Sequence, residues 1–559
     1  RALLAVLLSA WSCQGAKIAV VSYNLGTSHT MFSGAIADTL VEAGHTVHFF
    51  QVQQDNAIRT NGSQKAHRHF FIPSQAHNVW NDMAFRVNPF KPFSTETPSF
   101  FLNVTASFDQ SCHDVLASRQ KLERLGRAQD YDIGISEAYG FHGFGLLYIL
   151  GVREYVLSTA IPFQPAFAAM FNIPTPVSYV TSCLDGPGSL EAPNLSYFRR
   201  IYNTALHGLN YWIYRRFADK NTQIFRTVYP HIPDLEKLVK SAALILVNTP
   251  ALLEMPRPTT HKVLHIGGIA ESQDRKEVLG AELEHIMSTS RSVVVISFGT
   301  LARTVFIEGE LLNAFLSAFA RFPQVDFIWK FDDAELHDVF RNHSNVHTFK
   351  WLPQKALLNH PNTKGFISHV GLNSLLEAAQ AGVPIVAIPL FTDQQYNSAI
   401  ARQRGIAVYV DKTELSAQTI GDALNKILHG RRYQKNSALI RAQLSAFPRQ
   451  PKTELVSFIN FVAQFGAPRG QFHLFVPTFL YFPSSGMFDL PEQSFIFTQS
   501  LDIYIPAAIA ATLAACAAAA YVVYMYADLI PFVKVSIEIA PLDELLDHIT
   551  YIESEDEDD

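Results

Sequence analysis

A chain of 559 residues is too long for a single hydrophobic core, so at least two globular domains are expected. Apolar residues make up 48% of the chain, and its formal net charge is −6. No block of Lys and Arg stands out, and this excludes nucleic acid as an expected partner.

The first fifteen residues have the pattern of a secretory signal peptide. Arg1 is followed by the apolar run ALLAVLLSA and by a short segment ending in SCQG, which has the character of a cleavage site. A buried first strand is the alternative, but KIAVVSYNL follows directly and is the better strand. We therefore predict a signal peptide over residues 1–15.

Residues 16–270 alternate strands and helices in the order of a doubly wound domain. KIAVVSYNL predicts a strand, a helix ending at Gly44 follows, and HTVHFFQV, YDIGISEAYG, REYVLSTA and ALILVNT predict further strands. This order indicates a parallel sheet flanked by helices. The residues after HTVHFFQV are rich in Phe, Pro and His and are expected to be irregular. They line an apolar binding cleft or serve as plain core.

The stretch 197–220 mixes aromatic residues with Arg199, Arg200, Arg215 and Arg216. Two interpretations stay open for it. Either it lies on a membrane surface, or it is an amphipathic helix with a solvated basic edge.

A linker, PRPTTHKVLHIGGIAESQDRK, leads into a second alternating series over residues 271–465. Its strands are predicted from SVVVISFGT, VDFIWKF, NVHTFKWLPQ, GFIS, PIVAIPL and IAVYV. Two doubly wound α/β domains facing each other across a cleft are therefore expected. The ligand should bind beyond the carboxyl ends of the strands.

Residues 503–527 carry no charge and are numerous enough to cross ~30 Å of hydrocarbon. An Ala-rich core helix is the alternative, but the run lacks a polar stripe. With the signal peptide, this transmembrane helix predicts a single-pass type I protein with its domains in the secretory lumen. Residues 466–502 are then an aromatic-rich connector, and 528–559 an acidic cytosolic tail.

Glycosylation in that lumen is compatible with four Asn-x-Ser/Thr triplets, which begin at Asn61, Asn103, Asn194 and Asn342. Of the four cysteines, Cys13 leaves with the signal peptide and Cys516 lies in the predicted span. Only Cys112 and Cys183 remain to pair in the lumen, and the sequence leaves open whether they do.

The strongest functional signal is FISHVGLNSLLEAAQAGVPIVAIPLFTDQQ. Its first strand ends near His369 and passes through Gly371 into a helix whose first turn holds Asn373 and Ser374. The free N–H groups of a helix amino terminus bind phosphate, and glycine lets the backbone approach closely. The His369 ring can donate to a phosphate oxygen, and Glu377, one turn into the helix, can accept from a ribose hydroxyl.

Four neighbouring residues complete the pattern. Asp393 and Gln394 lie at the next strand-to-helix turn, where they can hold sugar hydroxyls. Upstream, Trp351 offers a flat face for a base and Gln354 an amide. Each residue alone has a structural explanation, such as a helix cap or a core aromatic. Together, in this order, they predict a nucleotide-sugar site over residues 351–394, and the resemblance described next implies that the donor is a UDP-sugar.

This segment resembles the signature of the UDP-glycosyltransferases, in particular the animal UDP-glucuronosyltransferases and their invertebrate members. The similarity extends over nearly the whole chain. It implies a fold of the GT-B type, with UDP-glucuronate or UDP-glucose as co-substrate and no other cofactor. It also implies that Trp351 and Gln354 bracket uracil, that His369 and the following helix meet the pyrophosphate, and that Ser297 and Thr300 add phosphate contacts.

The amino-terminal half supplies a catalytic candidate in GTSHTMFSGAIADTLVEAGHTV. A neutral imidazole at His29 can take a proton from an acceptor hydroxyl. The resemblance implies that His29 is the catalytic base and that Glu137, where vertebrate members have Asp, orients it. Structural alternatives are a helix cap for His29 and a solvated loop acid for Glu137. The implied reaction is a single displacement with inversion, and with no metal-ligand cluster in the sequence it needs no metal.

Three features depart from the family pattern. Val370 stands where a small residue is usual and adds bulk beside the phosphate loop. The stretch 472–500 is long, which predicts an insertion or an altered exon boundary. The tail is acidic rather than lysine-rich, which weakens the argument for a retention signal in it. Location in the endoplasmic reticulum is still expected.

The expected activity is transfer of glucuronic acid, or of glucose by a dedicated glucosyltransferase, to a hydroxyl of a lipophilic small molecule. For a glucuronyl carboxylate, Arg257 is the closest base downstream of ALILVNT. A catalytically silent, UDP-binding membrane homologue is the alternative from another class. The sequence does not identify the acceptor, and homo-oligomers are compatible with it.

Overall fold

The computed structural model describes residues 15–24, 26–54, 60–75, 88–91, 97–137, 139–182, 194–271, 277–300, 302–331, 337–466 and 501–525. The chain divides into two compact units, Arg1–Gln499 and Ser500–Asp559. Four parts of the sequence analysis fall outside the described residues: residues 1–14 of the predicted signal peptide, Cys183, the 472–500 stretch and the acidic tail.

The first unit contains two parallel sheets. The first sheet has seven strands in the order β3-β2-β1-β4-β5-β6-β7. These strands are β1 (Lys17–Tyr23), β2 (Thr46–Gln53), β3 (Arg68–Pro73), β4 (Ile133–Glu137), β5 (Glu154–Thr159), β6 (Leu244–Val247) and β7 (Val263–His265). Side chains of β1 alternate between two hydrophobic clusters, with Ile18 and Val20 on one face and Ala19 and Val21 on the other. Both faces are buried, as expected for a parallel sheet covered by helices.

The helices around this sheet, together with it, form the first lobe. They are α1 (Thr27–Glu42), α2 (Thr97–Ala117), α3 (Arg119–Gln129), α4 (His142–Ile149), α5 (Pro165–Met170), α6 (Tyr197–Arg226) and α7 (Leu235–Lys240). Short 3-10 turns follow at Ala251–Leu253 and Ile269–Glu271.

The second lobe is built on a six-stranded parallel sheet in the order β10-β9-β8-β11-β12-β13. Its strands are β8 (Val293–Ser297), β9 (Asp326–Lys330), β10 (Val346–Phe349), β11 (Thr363–Ser368), β12 (Ile385–Ala387) and β13 (Ala407–Tyr409). Its helices are α8 (Ala281–Thr289), α9 (Gly309–Ala320), α10 (His337–Phe340), α11 (Gln354–Asn359), α12 (Leu372–Ala381), α13 (Gln394–Gln403), α14 (Ala417–His429) and α15 (Arg431–Ser445). Further 3-10 turns span Thr304–Phe306 and Lys412–Glu414. The prediction of two doubly wound sheets is confirmed.

The next helix, α16 (Pro451–Phe465), returns to the first lobe. Its buried residues Leu455 and Ile459 belong to the same hydrophobic cluster as Ile18 of β1. Lys452 Nζ lies 3.3 Å from the Glu42 carboxylate at the end of α1. The end of the expected second domain, 271–465, therefore packs on the first lobe.

Two parts of the chain are more regular than the sequence predicts. The stretch rich in Phe, Pro and His contains the edge strand β3 and the long helix α2. The linker before residue 271 contains β7, a strand of only three residues that pairs with β6. Neither strand has the uninterrupted apolar run that reveals a buried parallel strand, since β3 and β7 are the two edge strands of the sheet.

In the second unit, the described residues form the helix α17 (Leu501–Met525). Of the helices that the structure describes, none is both long and apolar enough to pass through a membrane. The transmembrane helix predicted over 503–527, whose last two residues fall outside the described part, is thus not confirmed and stays a prediction.

Candidate active site

His29 and Glu137 come together from two neighbouring elements. The helix α1 begins at Thr27, so His29 lies in its first turn, while Glu137 is the last residue of β4, which pairs with β1. The Nδ1 atom of His29 lies 2.7 Å from Oε1 of Glu137. The Glu137 side chain is fully buried and also accepts a hydrogen bond of 3.0 Å from the Ala160 N–H. It is therefore a fixed, internal acid and not a solvated one.

The environment of His29 decides which of its nitrogens is basic. Because a carboxylate only accepts hydrogen bonds, Nδ1 carries the proton towards Glu137 and Nε2 holds the free lone pair. Burial lowers the pKa of His29, but the charge and hydrogen bond of Glu137, together with the charge of Asp393, raise it overall above its usual value. The ring also meets Tyr139 edge to face, with centroids 5.2 Å apart. The geometry suits a general base held in one tautomer.

The influence of Asp393 on His29 means that the second lobe reaches the same site. Asp393 directly precedes α13, yet its side chain makes no capping hydrogen bond. Its Oδ2 atom accepts from Asn397 Nδ2 at 2.8 Å, and its Oδ1 from Thr392 Oγ1 at 3.0 Å. Burial raises the pKa of Asp393 against these hydrogen bonds. The neighbouring Gln394 uses Oε1 to accept from the N–H groups of Leu390 and Phe391, at 2.8 and 3.1 Å, which holds the turn itself.

A second group of expected residues lies between α11 and α12. Gln354, the first residue of α11, donates from Nε2 to Ser374 Oγ at 3.3 Å and to the carboxylate of Glu377. Trp351, just upstream, exposes 65% of its surface. An exposed indole face beside a linked amide and carboxylate can receive a flat heterocycle and its hydroxylated sugar.

His369 lies between the two glycine turns of the second lobe. Strands β8 and β11 pair so that Ser297, the last residue of β8, stands opposite Ser368. A Cβ atom at Gly299 would lie 2.8 Å from the His369 ring, and one at Gly371 only 2.6 Å from its Nε2. Glycine is thus needed at both turns to make room for the imidazole. Thr300 follows in the same turn and is exposed.

Burial lowers the pKa of His369 to about 4, although a backbone hydrogen bond at Ser297 opposes the shift. The ring is consequently neutral at physiological pH. It can donate one hydrogen bond to a phosphate oxygen but brings no positive charge, so charge compensation at this place falls to the amino terminus of α12 and to Lys330, whose charge also acts on His369.

Asn248 also lies at the candidate site, and the sequence analysis did not predict it. Asn248 directly follows β6, and its Nδ2 donates to Asn373 Oδ1 at 3.2 Å across the cleft and to Ala160 C=O at 3.2 Å. It therefore links the phosphate-side helix α12 to the same turn that holds Glu137. Its position at the carboxyl end of a parallel strand was the available signal, as it was for Glu137.

Arg257 forms part of a buried cluster that also joins the lobes. Its side chain is 4% exposed, and Nη2 lies 3.1 Å from Glu254 Oε1 and 2.7 Å from the hydroxyl of Tyr396 in α13. Tyr396 also hydrogen bonds to Glu254. The guanidinium stacks over Phe163 at 5.8 Å. The Nε and Nη1 atoms have no hydrogen-bond partner among the described residues.

Val370 is strained, and its bulk is not beside the phosphate loop as the sequence suggests. Its φ is +59°, unusual for a β-branched residue, while its side chain is fully buried in the hydrophobic core of the second lobe. The Ser368 Oγ accepts from its N–H at 3.1 Å, and Asn397 Nδ2 donates to its C=O at 3.1 Å. These two hydrogen bonds hold the backbone in the left-handed region.

We expect the usual stability advantage of alanine over glycine to be lost or reversed at position 370, in the variants V370A and V370G. Glycine is ordinarily about 0.5–1 kcal/mol worse than alanine inside regular elements. At a positive φ, alanine keeps a strain of about 1–2 kcal/mol that glycine lacks. Both variants lose the same buried apolar groups beyond Cβ, so V370G should unfold at a temperature equal to or above that of V370A. A clearly more stable V370A would contradict the left-handed backbone at this position.

The comparisons with known proteins extend over most of the chain. The family model described as UDP-glucoronosyl and UDP-glucosyl transferase matches residues 16–475. The putative UDP-glucuronosyltransferase ugt-47 of Caenorhabditis briggsae is 27% identical over 467 residues, covering 81% of this chain and 85% of the relative. UDP-glucuronosyltransferase 3A1 of Bos taurus is also 27% identical, with coverages of 81% and 85%.

Among solved structures, Phytolacca americana UGT2, complexed with UDP-2fluoro-glucose and pterostilbene, superposes with a TM-score of 0.52 at 17% identity. The match covers 80% of this chain and 99% of that protein. At this identity the likeness concerns the fold, which is the two-sheet GT-B arrangement expected from the sequence.

Proposed function

Since the chain belongs to the UDP-glucoronosyl and UDP-glucosyl transferase family and is a UDP-glycosyltransferase, we propose that it glycosylates a hydroxyl of a lipophilic small molecule. The favoured donor is UDP-glucuronate, and UDP-glucose is the alternative. The solved protein from Phytolacca americana is complexed with UDP-2fluoro-glucose and pterostilbene, which supports a donor and an acceptor of these general kinds.

The proposal depends on one observation, the His29–Glu137 pair opposite Asp393. In the proposed reaction, the acceptor oxygen attacks the anomeric carbon while its proton passes to Nε2 of His29. The bond from that carbon to the β-phosphate oxygen breaks, and UDP leaves with the electron pair. Glu137 stabilises the imidazolium that forms, and Asp393 and Gln394 hold sugar hydroxyls. Attack opposite the leaving group inverts the anomeric centre.

The phosphate side of the site supports the departure of UDP mainly through neutral hydrogen-bond donors. His369, with its lowered pKa, is proposed to donate one hydrogen bond to the pyrophosphate. Ser297, Thr300, Gly371, Asn373 and Ser374 add hydroxyl and backbone donors around the amino terminus of α12. Trp351 and Gln354 would receive the uracil, and Glu377 the ribose.

The choice between glucuronate and glucose turns on a cation for the carboxylate. Arg257 is buried near α13, but Glu254 already balances its charge at 3.1 Å. A glucuronyl carboxylate at Nε or Nη1 would have to share the guanidinium with Glu254. Arg257 is therefore compatible with glucuronate but does not require it, and UDP-glucose remains the second candidate.

Membrane attachment is a further part of the proposal. The signal-like start and the uncharged run 503–527 support a type I protein with lumenal lobes, in the endoplasmic reticulum. Protease protection of the lobes in sealed microsomes, with loss of protection on adding detergent, would test this orientation.

The activity is tested by incubating membranes that carry the protein with radiolabelled UDP-sugars and a panel of phenols and sterols. A labelled sugar on an acceptor identifies donor and reaction together. Membranes carrying H29A serve as the control for endogenous transferases. Binding of UDP without transfer from any donor would instead favour a catalytically silent homologue.

The role of Glu377 can be tested with a donor analogue. We expect E377A to raise the KM for the UDP-sugar about tenfold, because a charge-assisted hydrogen bond contributes ~1.5–3 kcal/mol and water replaces part of it. Two donor analogues, one lacking the ribose 2′-hydroxyl and one lacking the 3′-hydroxyl, are then compared. For the analogue that lacks the hydroxyl bound by Glu377, the KM values of wild type and E377A should differ much less. An equal penalty with all three donors would mean that Glu377 acts only by positioning Gln354.

A further inference from the structure

The long helix α6 (Tyr197–Arg226) buries one face and presents an apolar face to the outside. Its buried positions follow helical spacing, at Asn203, His207, Asn210, Ala218 and Asn221, and they pack the helix on the first lobe. Asn203 Nδ2, for example, donates to the C=O groups of Val177 and Val180 at 2.7 and 2.8 Å. Several amide and imidazole side chains therefore point inward, whereas an ordinary amphipathic helix buries mainly apolar residues.

The opposite face is aromatic and aliphatic. At 100° per residue its members fall within about 140° of one another, centred opposite the buried positions. The exposed fractions are 62% for Tyr197, 80% for Phe198, 53% for Ile201, 49% for Tyr202, 47% for Leu209 and 54% for Trp212. We call these six residues the aromatic face. A continuous apolar strip of this kind on a folded surface marks an interaction site.

Arginines accompany the aromatic face. The guanidinium of Arg200 lies 6.0 Å from the Tyr197 ring centroid, and that of Arg216 lies 5.3 Å from Trp212. Both are exposed and form no ion pair with any described residue, whereas Arg215 pairs with Glu236 at 3.3 Å. The helix has six basic residues and a single acidic one, Asp219, and of the basic residues Lys220 and Arg226 also pair with acids outside the helix, Asp109 and Asp234. The face is thus apolar with unneutralised positive charge beside it.

We propose that the aromatic face of α6 lies flat on an anionic lipid surface. Trp and Tyr prefer the headgroup level of a bilayer, where the ring is buried and its polar atom stays wet. Arginines beside them meet lipid phosphates and serine headgroups, each contributing to binding. The helix rests on the surface and does not cross it.

A second copy of the chain fits this face less well. In a twofold pair each face meets itself, which brings Arg200 and Arg216 of both copies towards one another, with Asp219 as the single acidic residue of each helix to offset them. An anionic bilayer, by contrast, neutralises the arginines and covers the apolar strip together. Charge complementarity therefore favours lipid as the occupant.

The proposal is tested by photocrosslinking the full-length protein reconstituted in vesicles. A benzophenone amino acid replaces Phe198 in one variant and Val278, which is 82% exposed in the second lobe, in a matched control. The vesicles contain a traceable phosphatidylcholine, with or without roughly 30% phosphatidylserine to give a negative surface. Any membrane anchor elsewhere in the chain is the same in both variants.

We expect lipid adducts at position 198 to exceed those at position 278 by about fivefold or more. A factor of that size corresponds to the attraction of one basic residue to an anionic surface. Adding R200Q and R216Q should lower the yield in the anionic vesicles and change it little in the neutral ones. Three outcomes would overturn the proposal: adducts of twice the chain mass, equal lipid yields at the two positions, or no adduct at position 198.

Discussion

Replacing His29 with Ala is expected to lower kcat by about 10³-fold, within the 10²–10⁴ range of general-base catalysis, while UDP still binds. The Nε2 atom is the only basic nitrogen of the His29–Glu137 pair, since Nδ1 is engaged at 2.7 Å by Glu137. The UDP contacts expected in the second lobe do not involve this side chain. Initial rates at saturating donor and acceptor, with UDP affinity from calorimetry, measure both effects.

The matched control for this prediction is H113A. His113 lies in α2 and is exposed, so its loss removes an imidazole without touching the cleft. Its turnover should equal that of the wild type. Full turnover by H29A would end the proposed mechanism, whereas a parallel loss of UDP binding would mean that the variant is misfolded.

The variant E137Q should have the second largest effect, a loss of kcat on the order of 10²–10⁴, because an amide neither fixes the correct tautomer nor stabilises the imidazolium. The sign of the pH effect follows from the raised pKa of His29. The base works only when neutral, so wild-type activity falls as the pH drops through that raised pKa. Without the carboxylate the pKa falls, and the acidic limb of kcat/KM should move to lower pH, towards or below the usual value of about 6.5.

Replacing Glu137 with Asp separates the effect of the negative charge from the effect of side-chain length. E137D keeps the carboxylate but withdraws it by one methylene from a contact of 2.7 Å. We expect it to retain the acidic limb near its wild-type position and to recover part of the lost kcat. An E137Q profile that keeps the wild-type acidic limb would show that Glu137 does not set the pKa of His29. Thermal unfolding of both variants controls for the buried site.

The strands that the sequence predicts most clearly are those with unbroken apolar runs, such as VVVI in β8 and LILV in β6. The edge strand RHFFIP and the three-residue VLH lack such runs, and pairing with a neighbour, which is not a local property, decides their structure. The register between β1 and β4 is likewise not a local property, since it depends on both strands being buried in the middle of the sheet.

For the site, the position of polar residues at the ends of strands pointed to Asp393, whereas the roles of His29 and Glu137 follow from the resemblance to the UDP-glycosyltransferases. The sequence could not predict which of these side chains come into contact across the fold. The Arg257–Tyr396 contact joins residues 139 apart in the chain. Likewise, the sequence placed Val370 beside the phosphates, but its positive φ turns the side chain into the core. A backbone dihedral angle of this kind is set by tertiary hydrogen bonds.

The return of α16 to the first lobe has a consequence for how the protein can be divided. The first lobe is discontinuous in sequence, because residues 451–465 complete its surface after the entire second lobe has been synthesised. A fragment ending at residue 270 would leave Ile18, Phe32 and their neighbours without Leu455 and Ile459 against them. During synthesis the same patch stays uncovered until the second lobe has emerged. The lobe that carries His29 is therefore finished last, although it is made first.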